Sequence, residues 1–397
     1  MLPEQRKKLI ILMINMFIAV GSFGIIIPIL PAYLLSIGQG GTAAGLVIAI
    51  FAGAQLVMSP IAGKWADQYG RRIMIIAGLS GLALSMFVFY WSDTIGILYF
   101  SRVIGGVGAA LLIPAIFAYV ADITTMEQRA KGNSLISAAM SLGIVVGPGV
   151  GGFLADYGLK MPLLVSAIIG VAAVGFSAIW LEESKEVSGS SLDMDTDPLV
   201  KKLVQSVQKP YFIPLVITLV MSFGLMAYES VIGLFINNKF GATPQEIAIM
   251  VTATGIVSVV VQLFIVDLIV RRYGEGAIMN VFLSVTAIGF LASLFASSYA
   301  LFFIVTLVIF LASSILRPVL NTLISKLAGN EQGFAMGMNN AYMSIGNVLG
   351  PTLAGLLYDV HLYYPFLLGL VVLVLTLLVS ITWQRKQKAA GRNAAVL

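Results

Sequence analysis

The sequence of 397 residues contains no cysteine and only one histidine, His361. Without cysteine there can be no disulfide framework and no thiolate metal site. A single histidine, predicted at a helix end, offers little to a zinc cluster or a Ser-His-Asp triad. The phosphate-binding pattern G-x-x-x-x-G-K-[ST] is also absent. We therefore predict no enzyme site, no metal, no cofactor and no nucleotide motor.

Charge is equally scarce. Charged residues make up 10% of the chain and apolar residues 59%, against about 25% charged residues in a soluble domain. A soluble fold of this length could not bury so much apolar surface, so the composition predicts a membrane protein. The net charge of +5 arises from basic residues of the predicted cytoplasmic loops and tails, so it predicts no nucleic-acid partner.

Twelve apolar runs approach or exceed the length of about 20 residues that crosses a bilayer. They are 9–34, 42–62, 73–91, 95–120, 133–156, 161–181, 211–237, 245–268, 277–296, 299–325, 334–357 and 362–383. No small-residue cleavage site follows the first run, so it is predicted to be retained. The polar, charged stretch 182–209 predicts a cytoplasmic linker between an N-terminal six-helix bundle, 1–181, and a C-terminal bundle with a cytoplasmic tail, 210–397.

Lys and Arg predict the orientation of these spans. If both termini are cytoplasmic, 19 of the 23 basic residues fall on the cytoplasmic side and two, Lys160 and Lys239, fall outside. This bias is the positive-inside pattern. The other two, Arg102 and Arg317, lie inside spans.

One glycine-rich stretch occurs twice. Residues 141–156 read SLGIVVGPGVGGFLAD, and residues 344–359 read SIGNVLGPTLAGLLYD, 203 positions later. Because 203 is about half of the chain, the repeat predicts two homologous halves.

The loops next to the second and fourth spans carry a candidate inner gate. The gate residues are Asp67, Arg71 and Arg72 in GKWADQYGRR, together with Asp122 and Arg129. We predict that the aspartates pair with these arginines in one state and release them in another. Alternatively, the arginines are only positive-inside anchors.

The repeated Gly-Pro pairs, Gly147-Pro148 and Gly350-Pro351, are the remaining gating candidates. Proline removes a helical hydrogen bond and permits a bend, so we expect pliable helices at the interface between the halves. The alternative is that these glycines serve packing alone.

Three ionisable groups lie deep within the spans: Arg102, Glu229 and Arg317. Charges there are costly and should face a cavity or each other. Glu229 is the only acid so placed, and we predict that it carries the coupling proton, with Arg317 as its partner. Two alternatives stay open: a fixed structural pair between Glu229 and Arg317, and a structural Arg102 satisfied by backbone carbonyls.

Aromatic and methionine side chains around sparse polar groups make an adaptable pocket. The predicted substrate-binding residues are Phe17, Phe51, Gln55, Arg102, Ser141, Tyr228, Glu229, Ser314, Arg317, Asn340 and Met343. The alternative for each aromatic or methionine is a lipid-facing or packing role.

The twelve spans, GKWADQYGRR, SRVIGGVGAA and the GPGVGG helix together resemble the major facilitator superfamily. The GIVVGPGVGG pattern is similar to that of its drug:proton antiporters. LVMSFGLMAYES, ILRP and AGNEQGFAMGMNNAYMSIGNVLGP resemble the NorA/Bmr-type multidrug efflux transporters of Gram-positive bacteria. By motif, the resemblance carries that family's functional residues onto Gln55, Glu229, Arg317 and Asn340.

The resemblance implies proton-driven export of lipophilic, cationic or zwitterionic drugs and dyes by alternating access. It also implies a bacterial plasma membrane and a protein that works as a monomer, with protons as the coupling ion. One departure matters: relatives carry aspartate three residues before the arginine of the tenth span, where this chain has Ser314. Two rival functions stay open, a proton-coupled transporter of one metabolite or sugar, and a lipid flippase.

Overall fold

The computed structural model describes residues 3–184, 199–329 and 331–389. The predicted linker is described at 182–184 and 199–209, whereas 185–198 lies outside the described residues. Every regular element within the described ranges is a helix, which confirms the all-α prediction.

Fourteen α-helices occur in these ranges. They are α1 (Pro3–Ser36), α2 (Gly41–Tyr69), α3 (Arg71–Tyr90), α4 (Ile95–Ile123), α5 (Met126–Leu154), α6 (Met161–Trp180), α7 (Leu199–Ser206), α8 (Phe212–Phe240), α9 (Pro244–Phe264), α10 (Val266–Tyr273), α11 (Glu275–Phe295), α12 (Tyr299–Ala328), α13 (Gln332–Val360) and α14 (Tyr364–Ala389). A 3₁₀ turn, Ala155–Tyr157, follows α5.

In the described part of the chain, eleven helices are long and apolar enough to cross a membrane. The remaining predicted span, 334–357, is present as α13, whose 29 residues extend about 43 Å at 1.5 Å per residue. That helix is less apolar because it contains Asn339, Asn340 and Asn347. Length and composition together therefore agree with a protein that spans the membrane many times.

Several helices extend beyond their predicted spans. Helix α1 begins at Pro3 and α14 continues to Ala389, because Lys, Arg and Gln favour helix outside the apolar window as well as within it. The eighth predicted span, 245–268, is divided instead: α9 ends at Phe264 and the short α10 begins at Val266. Helices α5 and α13 remain continuous through Pro148 and Pro351.

The chain forms two compact units. Unit 1 comprises the described residues within Met1–Gln39, Leu46–Met194 and Ala242–Thr252, and unit 2 those within Gly40–Gly45, Asp195–Gly241 and Ala253–Leu397. In unit 1, α1 packs along α5 and α3 packs between α4 and α6. Its buried core includes Leu12, Ile75, Leu112, Ile116 and Tyr119.

Glycines bring α5 against α1 in unit 1. A Cβ atom added to Gly147 would lie 2.6 Å from the carbonyl oxygen of Gly21, and one added to Gly143 would lie 2.8 Å from that of Phe17. Backbone cannot move aside as a flexible side chain can, so this contact requires glycine. The packing role considered for Gly147 is thus observed within unit 1.

Unit 2 repeats this arrangement with α8 and α13. Gly346 and Gly350 lie against the backbone of Leu219 and Phe223, and both stand 203 positions after the glycines Gly143 and Gly147 of α5. At the other end of α13, the carboxylate of Asp359 accepts hydrogen bonds of 2.6 and 2.8 Å from the backbone N–H groups of Gly41 and Thr42. It thereby satisfies two of the unpaired donors at the start of α2.

Candidate functional site

The predicted gate residues of unit 1 meet at Arg71. Its Nη2 lies 2.5 Å from Oδ1 of Asp67, and its Nε lies 3.1 Å from Oδ2 of Asp122. Its Nη1 donates to the carbonyl oxygen of Ala66 at 2.5 Å. One guanidinium fork therefore joins the ends of α2 and α4, with both predicted aspartates as acceptors.

Glu183, just after α6, completes this cluster and was not predicted from the sequence. Its carboxylate accepts hydrogen bonds from the backbone N–H groups of Arg71 at 2.8 Å and Arg72 at 3.2 Å. Gly70, with φ of 98°, leaves the space that the carboxylate occupies. The one available signal is that α3 begins after glycine, without Ser, Thr, Asp or Asn at its N-cap, so a capping acceptor must come from elsewhere.

The other two predicted gate arginines do not pair with the aspartates. Arg72 donates through Nη2 to the carbonyl oxygen of Ala178 at 2.6 Å, and Arg129 donates through Nη2 to that of Ala121 at 3.1 Å. In each guanidinium, Nε is buried without a hydrogen-bond partner among the described residues. The ion-pair cluster is thus centred on Arg71 alone.

Arg102 is fully enclosed in unit 1, with 0% of its surface exposed. Its Nη2 donates to Ser85 Oγ at 3.0 Å and its Nε to Ser101 Oγ at 3.2 Å. The guanidinium carbon lies 4.9 Å from the centre of the Phe89 ring. Nη1 has no partner among the described residues. These partners are side chains of α3 and α4 rather than backbone carbonyls, and a substrate contact by Arg102 stays a prediction.

The other unit 1 candidates, Phe17, Phe51, Gln55 and Ser141, are all half-buried. Phe51 lies 5.0 Å from Phe23, centre to centre. Each side chain retains accessible surface, so their predicted roles as substrate contacts stay predictions.

The two charged groups deep within the spans of unit 2 are not paired. Glu229 on α8 is half-buried and Arg317 on α12 is exposed. They form no ion pair within 4.0 Å. Ser314 donates its hydroxyl to the carbonyl oxygen of Phe310, one turn earlier in the same helix, at 2.7 Å. Neither Glu229 nor Arg317 is therefore held in a fixed pair in this structure.

Tyr228, next to Glu229, lies in the interior of unit 2. It is 1% exposed, and its hydroxyl lies 2.8 Å from Thr306 Oγ1. Its ring packs among phenylalanines of α11, α12 and α14, with the nearest centre, that of Phe290, at 5.2 Å. The observed contacts are those of a packing residue, and a substrate contact by Tyr228 stays a prediction.

On α13, neighbouring asparagines differ in their surroundings. Asn340 is exposed, while Asn339 is buried and donates from Nδ2 to Oδ1 of Asn321 at 2.8 Å. Met343, one turn later, is half-buried. Asn340 and Met343 thus keep accessible surface for a ligand, and Asn339 joins α13 to α12.

The comparisons with known proteins fit this arrangement. A sequence profile of the Major Facilitator Superfamily matches residues 12–235 and 214–396, which together span nearly the whole chain. The chain belongs to this superfamily.

Solved structures agree on the fold. A bacterial homologue of the human lysosomal transporter Spinster has a TM-score of 0.81 at 14% identity, covering 97% of this chain and 98% of that one. The nucleoside transporter NupG has a TM-score of 0.77 at 12% identity, covering 95% of this chain and 98% of that one.

Curated relatives within the superfamily are similar over their full length. Multidrug resistance protein 2 of Bacillus subtilis is 40% identical over 98% of both chains, and Multidrug resistance protein 1 of the same organism is 38% identical over 96% of this chain and 98% of its own. Quinolone resistance protein NorA of Staphylococcus aureus is 32% identical over 98% of this chain and 100% of its own. The predicted resemblance to this family is confirmed.

Outside the spans, a charged contact in unit 2 joins Lys209 to Glu331. Lys209 Nζ lies 2.7 Å from Glu331 Oε1, and this hydrogen bond holds the pKa of the Glu331 carboxyl below its usual range. The hydroxyl of Tyr211 donates to the other carboxylate oxygen of Glu331 at 3.2 Å. Glu331 is therefore ionised at neutral pH, and its two contacts fasten the segment before α8 to the start of α13.

Proposed function

We propose that the protein exports lipophilic compounds across the bacterial plasma membrane in exchange for protons, by alternating access. The single observation that carries the proposal is Glu229, a carboxyl within a membrane span that is not ion-paired. Such a group can take up and release a proton, which a group in a fixed ion pair cannot readily do. The names of the curated relatives support drugs and quinolones as cargo.

The remaining assignments belong to the same proposal. The halves 1–181 and 210–397 act as two six-helix bundles joined by the linker 182–209, and the protein works as a monomer. Both termini face the cytoplasm, supported by the distribution of Lys and Arg. The contacts of Arg71 with Asp67 and Asp122 act as the inner gate, and Asn340, Met343, Gln55, Phe17, Phe51 and Ser141 contact the cargo.

The test is efflux from vesicles that contain the purified protein. A lipophilic dye and a quinolone are loaded separately, and transport is measured with and without an imposed pH gradient. The proposal expects uphill movement of both compounds only when the gradient is present. Uphill movement without a gradient, or transport of one metabolite and neither of these compounds, would overturn it.

A further inference from the structure

The guanidinium of Arg317 is the feature of unit 2 that the contacts described above leave unexplained. Arg317 lies within α12, well away from both Tyr299 and Ala328, and its side chain is exposed. By the distance criteria for hydrogen bonds and ion pairs, it has no partner among the described residues. A permanent positive charge at such a depth requires water or a counter-anion.

The position of Arg317 on its helix excludes the lipid as its surroundings. The large exposed apolar side chains of α12 are Leu301, Ile304 and Val308. At 100° per residue they lie about 140–180° around the helix from Arg317. An apolar exposed face is the one that contacts lipid tails, so Arg317 is on the opposite, polar-accessible side of α12.

The side chains nearest to Arg317 along α12 cannot supply the missing anion. Helix α12 contains no Asp or Glu. The hydroxyl of Ser314 is used by the carbonyl oxygen of Phe310, and the amide oxygen of Asn321, one turn after Arg317, accepts from Asn339. Glu229 is beyond ion-pair distance.

We propose that Arg317 recognises a carboxylate on the transported compound, so that the site favours lipophilic zwitterions over cations that lack an acidic group. A planar guanidinium binds a carboxylate through two parallel hydrogen bonds. Glu229, separate from Arg317, then receives the basic group of the same compound. The proposal rests on the proposed function and narrows its substrate class.

This division of roles is compatible with exchange against protons. A basic group and a proton compete for Glu229, whereas the carboxylate is held by Arg317, which does not deprotonate. Loading of a zwitterion therefore releases a proton from Glu229 and leaves the charge at Arg317 balanced. A cation without a carboxylate leaves Arg317 unbalanced and binds more weakly.

A matched dye pair tests the proposal by equilibrium binding to purified protein in detergent at pH 7, where no gradient is present. One dye is a rhodamine with a free carboxylate, and the other is its ethyl ester, which keeps the cation and loses the anion. We expect the wild type to bind the acid about tenfold more tightly than the ester, the range of one charged hydrogen-bond pair. Equal affinities for the two dyes in the wild type would overturn the proposal.

Three variants refine the test. Arg317→Gln should abolish the preference while the ester still binds. Ser314→Asp should also reduce it, because a carboxylate three residues earlier on the helix can pair with Arg317, whereas the uncharged control Ser314→Asn should retain it. An unchanged preference for the acid dye in Arg317→Gln would contradict the proposal even if Ser314→Asp fails to fold.

The same dyes distinguish failure of this proposal from failure of the proposed function. If the protein prefers the acid dye in detergent but transports neither dye uphill in vesicles, proton-driven export is contradicted and the carboxylate site is not.

Discussion

The carboxylate of Glu183 caps the helix that begins at Arg71, at 2.8 Å from the backbone nitrogen. The two residues are 112 positions apart in the sequence. The same Arg71 holds both aspartates of the proposed inner gate, so Glu183 fixes the backbone from which that side chain extends. The cap and the ion pairs form one assembly.

Loss of this cap should weaken unit 1. We expect Glu183→Ala to lower the free energy of unfolding by about 1–2 kcal/mol, the usual value of an N-cap, seen as a lower melting temperature in detergent. Glu182→Ala is the matched control, because that neighbour is 70% exposed and pairs only with Lys8 in the described structure. Equal melting temperatures for the two variants would remove Glu183 as a cap.

Gly147 should tolerate no side chain. A Cβ there meets the backbone of Gly21, so Gly147→Ala should separate α1 from α5, lower the melting temperature by several degrees and slow transport, and Gly147→Leu should stop transport. Gly175 in α6 has open space around its Cα, and Gly175→Ala should be neutral because alanine favours helix. Normal stability and transport in Gly147→Ala would show that the close approach is not required.

We expect Arg102 to support stability and transport through its contacts with α3. Removal of a charged hydrogen bond costs about 1.5–3 kcal/mol of folding stability, so we expect Arg102→Ala to lower the melting temperature in detergent and, by loosening α3 against α4, to lower the transport rate. Arg102→Lys should have a smaller effect, because lysine keeps the charge but lacks the planar fork. Ser85→Ala removes one hydrogen-bond acceptor of Arg102, and its transport rate should lie between those of Arg102→Lys and the wild type. Normal transport by Arg102→Ala, measured at equal protein amounts in vesicles, would reduce Arg102 to a packing residue.

The spans and the deep charges could be predicted because both depend on local information. Hydropathy reports twenty neighbouring residues at a time, and a charged residue within such a run stands out without any knowledge of its partners. Arg102, Glu229 and Arg317 were found in this way. The predicted ends of α1 and α14 were less accurate than the spans themselves, because the polar turns at these helix ends lie outside the apolar runs.

The partners of each side chain could not be predicted, because they lie on distant helices. Tyr228 and Glu229 are adjacent, yet Tyr228 packs among the phenylalanines of unit 2 while Glu229 stays accessible. Asn339 and Asn340 differ in the same way. Helical periodicity separates such neighbours by about 100°, but it does not state which direction is the interior. Glu183 was missed for the same reason.

Glu229 carries the central claim, and Glu229→Gln tests it most directly. Glutamine keeps the shape and hydrogen-bonding capacity of the side chain but cannot titrate. In vesicles with an imposed pH gradient alone, we predict that this variant folds and still binds dye, yet shows no uphill transport, while the control Glu182→Gln transports at the wild-type rate. Uphill transport by Glu229→Gln at the wild-type rate would contradict Glu229 as the proton carrier.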